Sequence, residues 1–301
     1  MILWGANNIF SLIFSDGSIR EARLKGKVLA LDDEPHNPLS PGDYVQVDES
    51  GQITHRCPRT NAFHRWNKKR MGMQTLAANI DQVLIMGCVQ SPPFRPRFID
   101  RALLCAQYDD IQSLVVINKV EGPLSPQVQE RIGDFSRLGY PVIPISVHTG
   151  YGLDELARVL HQKTTAFVGQ SGVGKSSLLN TLLPDVGAKI GDVSEKYQRG
   201  RHTTTLSRCY PGPDSRTYFI DTPGVRELDV SFIEPDQLGF YFPEFEEFRS
   251  ECAISGCTHN HEPHCRVEQA FEDGLIHEDR YESYLRILEE ITYARKGRYS
   301  R

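Results

Sequence analysis

The stretch TTAFVGQSGVGKSSLLN, residues 164–180, leaves little choice of architecture around it. A β-branched, apolar run ends in glycines at 169, 172 and 174, and a helix-forming run follows Lys175 at once. A strand, a glycine-rich loop and a helix in this order bring backbone amides around phosphate oxygens, and the positive end of the helix adds to the attraction. The expected phosphate-binding residues are Gly169, Gln170, Ser171, Gly172, Val173, Gly174, Lys175, Ser176 and Ser177. In such a loop the lysine, Lys175, reaches the β- and γ-phosphates, and the serine, Ser176, ligates Mg²⁺. The strand has no polar alternation, so it is expected inside a parallel α/β sheet covered on both faces.

The order of the neighbouring motifs is unusual. DQVLIMGCV and SLVVIN are further buried strands, separated by the helical spacing of RPRFIDRALLCAQYDD. The second strand ends in Asn118, Lys119, Val120 and Glu121, which resembles the guanine-reading loop N-K-x-D with its carboxylate one carbon longer. That carboxylate accepts both N1–H and N2–H of guanine, a donor pair adenine lacks. After a helix near 127–138 and the strand YPVIPIS comes ISVHTGYGLDEL, resembling the S-A-x-x-G-x-G loop that lies along the base. Ser146, Gly150 and Gly152 match it, and Val147 replaces the alanine. Only then, beyond a helix at 153–160, does the phosphate loop arrive. Downstream, RTYFIDTPGVREL places Asp221 at a strand end, where a metal-side carboxylate is needed, and offers the amide of Gly224 to a γ-phosphate. Between the two lies QRGRHTTTLSRC, where Thr203, Thr204 or Thr205 can complete the Mg²⁺ shell. A Ras-type enzyme orients its water with a glutamine at the position Val225 fills here, which makes His202 the candidate for that role. The whole set is that of one GTP site cut and rejoined in a different order, which compact domains tolerate because their termini lie close together.

Residues 1–70 read as short strands broken by turns, NIFSLIFSDGSIREARL around an Asp-Gly and LSPGDYVQVDESGQITH around Pro41, Gly42 and Asp43. Five such strands make a small Greek-key barrel such as an OB-fold. The segment closes with a basic linker carrying Arg56, Arg59, Arg65, Lys68, Lys69 and Arg70, no acid, and the aromatic Trp66. This composition suits phosphate neutralisation and base stacking, hence RNA binding. The GTPase domain is expected over 71–228. Residues 229–301 begin acidic and end helical, with Tyr281, Tyr284, Leu285, Leu288 and Ile291 on one packed face. Cys252, Cys257, His259 and Cys265, spaced C-x4-C-x-H-x5-C, suit one structural tetrahedral Zn²⁺. Seven cysteines, an odd count with three of them clustered in this way, point to a reducing cytoplasm and a metal site, not a disulfide framework. A net charge of -5 gives no global attraction to nucleic acid, and no apolar run approaches the ~18 residues of a membrane span.

The β-rich start, the permuted motifs with GRHTTT and DTPG, and the C-x4-C-x-H-x5-C cluster together resemble the RsgA (YjeQ) family over nearly the whole chain. The resemblance implies an OB-fold barrel, a circularly permuted P-loop GTPase domain and a helical zinc-binding domain. It implies slow GTP hydrolysis stimulated by the small (30S) ribosomal subunit, with 16S rRNA as a partner, during late maturation of that subunit. Glu121 and Val147 depart from the family pattern, and both touch base recognition. Two other readings use the same residues: a GTP-dependent rRNA-binding checkpoint that hydrolysis only resets, and a P-loop ATPase with relaxed base specificity.

Overall fold

The computed structural model describes the chain apart from Asn7 and residues 25–38, 69–70, 185–206, 224–227 and 300–301. The first five strands form one sheet: β1 (Ile2–Ala6), β2 (Ile9–Ile13), β3 (Ile19–Leu24), β4 (Val45–Val47) and β5 (Gln52–Arg56). Their order is β1-β2-β3-β5-β4, with β3 and β5 parallel and the other pairs antiparallel. Ile2 N donates to Asp43 O (2.8 Å) and Gly42 N to Ile2 O (2.9 Å), so β1 also meets the chain just before β4 and the sheet curls towards closure. This is the order and curvature of an OB barrel, built around Ile2, Leu12, Ala22, Leu39 and Ile53. The β2–β3 turn is made by Asp16, whose carboxylate accepts the amide of Ser18 at 2.8 Å.

Part of the segment expected as a basic linker, Ala62–Asn67, is instead a strand. β6 (Ala62–Asn67) pairs antiparallel with β7 (Gly72–Ala78), so the expected boundary at residue 70 falls between the strands of one hairpin. The reason is apolar: Phe63, Leu76 and Ala77 are buried in the main core, and that burial overrides the charge of the run. Gly42 joins barrel to hairpin, since its φ of +93° and a Cβ only 2.0 Å from Ala78 O admit no side chain.

The central sheet has the order β10-β9-β8-β11-β13-β12. Its members are β8 (Gln82–Cys88), β9 (Gln112–Asn118), β10 (Val142–Pro144), β11 (Thr164–Gly169), β12 (Arg208–Pro211) and β13 (Tyr218–Asp221). All neighbours are parallel except β12 and β13. The helices α1 (Pro96–Tyr108), α2 (Pro126–Arg137), α3 (Leu153–Leu160) and α4 (Lys175–Leu182) connect or follow the strands. From β8 the chain steps outward to β9 and β10, then returns through α3 to place β11 on the other side of β8. The reversal makes the gap between β8 and β11 a topological switch point, and in open α/β sheets ligands bind at its carboxyl edge. The barrel leans on the far margin of this sheet: the Arg208 guanidinium of β12 stands 5.4 Å over the Trp4 ring, and Leu3 and Cys209 share a core.

The C-terminal region packs against the α1 face. It contains the short helices α5 (Glu246–Arg249) and α6 (Arg266–Glu272), and the long α7 (Glu278–Tyr299). The expected stripe on α7 is buried at Tyr281, Tyr284, Leu288 and Ile291 and half-buried at Leu285. Phe242, Phe245 and Tyr284 form an aromatic cluster with centroids 4.8–5.3 Å apart. A buried ionic network fastens this region to α1 and α2. Arg131 of α2 donates to Asp100 (2.7 and 2.9 Å) and Asp134 (2.5 Å), and Arg280 of α7 donates to the same Asp100 (2.8 Å) and to Glu244 (2.6 and 3.0 Å). Burial opposes the charge of Arg280, but Glu244 and Asp100 outweigh it and raise the guanidinium pKa. Asp100 is fully buried, so Asp100→Ala removes the one carboxylate that both guanidiniums share and leaves Arg131 only Asp134 and Arg280 only Glu244. The expected loss is about 3–5 kcal/mol of unfolding free energy in urea titrations. A loss under about 1 kcal/mol would mean that Asp134 and Glu244 alone suffice for the two arginines.

Candidate nucleotide and metal sites

Every expected nucleotide motif that the structure describes leaves a strand at the same edge of the sheet: Asn118 ends β9, Ser146 follows β10, Gly169 ends β11 and Asp221 ends β13. They are tied together by hydrogen bonds across long stretches of sequence. Asn118 Nδ2 donates to Val173 O at 2.9 Å, and its Oδ1 accepts from Val147 N at 3.2 Å. One buried amide thus joins the phosphate loop to both base loops. Lys119 Nζ donates to Gly172 O at 3.0 Å and also to Ser91 O. Gly174 packs so tightly on this clip that a Cβ there would sit 2.3 Å from Asn118 Nδ2, and its φ is +99°.

Lys175 opens α4 with its side chain buried, and its Nζ donates to Asp221 Oδ1 at 2.6 Å and to Thr222 O. The lysine and the metal-side carboxylate expected from sequence therefore share one point. The exposed Glu121 is held ionised: the Ser146 hydroxyl foremost, then its own backbone amide, lower its pKa below the usual carboxylate range. Ser146 Oγ also accepts from Thr149 N at 3.2 Å, leaving its proton for Glu121. At neutral pH the base loop thus ends in a carboxylate able to accept two N–H donors. His202, Thr203, Thr204, Thr205 and Gly224 lie outside the described residues. Two participants went unread in the sequence, the carbonyls of Ser91 and Thr222. The only local signal was that Ser91, Pro92 and Pro93 follow a strand ending at the same edge.

The basic candidates scatter. Arg59 pairs at 2.7 Å with the buried Asp43, and Lys68 lies 3.2 Å from Asp229. Arg65 and Trp66 are half-buried on β6, where Arg65 donates to Gln74 at 3.0 Å. Arg56 ends β5, and Lys69 and Arg70 are outside the described residues.

The metal candidates converge. Donor atoms of Cys252, Cys257, His259 and Cys265 all lie within 4.8 Å of one another. His259 Nδ1 is 3.7 Å from Cys252 Sγ and 3.4 Å from Cys265 Sγ. Tetrahedral ligation with bonds of about 2.0–2.3 Å requires donor separations of about 3.5–3.8 Å, so the residues fit one ion. Burial lowers the His259 pKa, keeping the imidazole neutral for ligation, while His261 and His264 are exposed. Tyr281 and Tyr284 donate to the carbonyls of His259 (2.8 Å) and Thr258 (2.5 Å), so the α7 stripe read as packing also orients the cluster. Glu262 accepts from Thr258 N (2.8 Å) and Asn260 N (2.6 Å) and braces the same loop. The tight approach at Gly174 is testable. Gly174→Ala is expected to weaken GTP binding at least about tenfold in calorimetry with circular dichroism unchanged, from strain of about 1–3 kcal/mol. Unaltered affinity would show that the clip yields without cost.

The sequence matches the family described as RsgA GTPase over residues 56–231. The protein named small ribosomal subunit biogenesis GTPase RsgA of Borreliella burgdorferi (strain ZS7) is 39% identical over 295 residues, covering 96% of this chain and 95% of that one. Small ribosomal subunit biogenesis GTPase RsgA 2 of Bacteroides thetaiotaomicron is 33% identical over 299 residues, 96% of each chain. Among solved structures, YjeQ from Thermotoga maritima superposes with a TM-score of 0.74 at 29% identity, covering 97% of both chains. YloQ, described as a circularly permuted GTPase, gives 0.67 at 27% identity over 97% of this chain and 94% of its own. A base loop that precedes its phosphate loop in the chain, yet is clipped to it in space, is an inherited arrangement: the chain belongs to the RsgA GTPase family.

Proposed function

We propose that this GTPase assists late maturation of the small (30S) ribosomal subunit as a cytoplasmic monomer, binding 16S rRNA and hydrolysing GTP slowly until the subunit accelerates it. The observation that carries the nucleotide part is the Asn118 clip, which brings a guanine-type loop against the phosphate loop. The subunit part is supported by the names of relatives that match the chain nearly end to end. Among the described residues no helix is long and apolar enough to cross a membrane.

In this reading the amides of residues 169–177 hold the phosphates, Asn118, Lys119, Val120, Glu121 and Ser146 hold the base, and Ser176 ligates Mg²⁺. GTP draws Lys175 from Asp221 towards its β- and γ-phosphates, which frees the carboxylate to hold the Mg²⁺ shell. One of Thr203, Thr204 and Thr205 completes that shell, Gly224 senses the γ-phosphate, and His202 orients the water once the subunit orders its segment. Chemistry of this kind is chiefly positioning and charge neutralisation, so turnover follows assembly of the site. Cys252, Cys257, His259 and Cys265 hold a structural Zn²⁺. RNA contacts are proposed at Arg56, Arg65, Trp66 and Lys68 with Lys69 and Arg70. Arg59, proposed with them, is paired with Asp43.

Hydrolysis of GTP and of ATP by the purified protein, with and without small subunits, tests the reading. Turnover is expected with GTP only, and to rise at least about tenfold with subunits, about 1.4 kcal/mol of barrier. Comparable use of ATP would defeat guanine recognition, and indifference to subunits would defeat the ribosomal role. Metal analysis of protein purified without chelators is expected to give about one zinc per chain, and Cys257→Ser to lose it and lower the unfolding temperature. Wild-type protein free of zinc would refute the metal assignment.

A further inference from the structure

An imidazole can ligate a metal through either ring nitrogen, and the choice falls to whatever holds the ring and its backbone. At His259 both are held. The Nδ1 edge of the ring faces the sulfurs, 3.4 Å from Cys265 Sγ and 3.7 Å from Cys252 Sγ. The opposite edge, Cδ2 and Nε2, lies against the buried Gly239 of the short helical turn Pro235–Tyr241. A Cβ at that glycine would stand 3.0 Å from both ring atoms. At the sides of the ring are Phe245, with centroids 5.7 Å apart and planes nearly perpendicular, and Tyr284, at 6.2 Å.

The backbone is pinned as well. The hydroxyl of Tyr281 donates to His259 O at 2.8 Å, and that of Tyr284 to Thr258 O at 2.5 Å. Nε2 stands further from the backbone than Nδ1, so ligation through it would require residue 259 to draw back from the sulfurs. Tyr281 holds it where it is. A ligating histidine ordinarily donates its second ring N–H to a carboxylate or a carbonyl, and that bond orients the ring. Among the described residues Nε2 of His259 makes no such bond. The ring is aimed by contact instead, with a bare glycine behind it and an aromatic ring on either flank.

We propose that His259 takes the metal through Nδ1, and that Gly239 and Tyr281 are the positioning residues that hold it to that atom. Both lie outside the ligand segment 252–265, one before it and one on α7. The grip on the ion is therefore set by how the C-terminal region packs around the ring, and not by the spacing of the four ligands alone. The assignment rests on the zinc reading above and adds to it the binding atom and the residues that aim it.

Two measurements on the full chain test this: NMR of the imidazole nitrogens with and without zinc, and zinc affinity by competition with a chromophoric chelator. In the wild type, zinc is expected to shift the Nδ1 resonance of one histidine ring and to leave its Nε2 protonated. Gly239→Ala, which pushes a methyl group at the ring, is expected to weaken zinc binding at least about tenfold, the lower end for groups that orient metal ligands. Tyr281→Phe, which removes only the hydroxyl, is expected to do the same, and in both variants the circular dichroism of the zinc-free protein is expected to be unchanged. Zinc held through Nε2, or an affinity within about twofold of wild type in either variant, would overturn the assignment while leaving the zinc site itself standing. A wild type that binds no zinc would overturn the zinc reading and this assignment with it.

Discussion

The placement of β11 between β8 and β13 carries the rest of the molecule. Parallel pairing on both sides puts the phosphate loop, the base loops and Asp221 at one edge, although the chain visits them in a rotated order. Because a strand cannot slip by one residue without turning its buried face outward, the register that aligns Phe167 with both Leu84 and Asp221 also fixes how far apart the motifs stand. The hydrogen bonds of Asn118 then need to span only the last few ångströms.

Permutation changes what the site is attached to. The base loops open the domain, and the chain that passes Asp221 runs on into the C-terminal region. The end of β13 is therefore joined along the chain to the Cys/His cluster, and the base-loop side meets the C-terminal helix through Arg131, Asp100 and Arg280. The metal loop, in turn, contributes little core of its own. It is shaped by hydroxyls from Tyr281 and Tyr284 and by the Glu262 carboxylate, so an ion there would lock a loop already directed by α7.

The motifs were readable because each depends on neighbours in sequence. The glycines of the phosphate loop, the strand-end Asn-Lys and the spacing of four metal ligands are local patterns, and the helices at 153–160 and on α7 follow from apolar spacing alone. That residues 62–67 form a strand where a linker was expected has an equally clear cause. Six cations without an acid look like a solvated run, and nothing local says that Phe63 is buried against α1 or that Asp43 takes the charge of Arg59. The network around Asp100 was invisible for the same reason, since its partners stand 31 and 180 residues away. Pairings of this kind are decided by tertiary packing and leave no periodic trace.

The barrel has a consequence beyond any contact with RNA. An open sheet exposes a row of unpaired backbone groups at each margin, which invites pairing with another chain. Here one margin, β10, is only three residues long, and the other, β12, lies under Trp4 and its neighbours on β1. Among the described residues the central sheet of this rotated domain thus has no long bare edge, and the barrel covers the margin that would otherwise invite pairing.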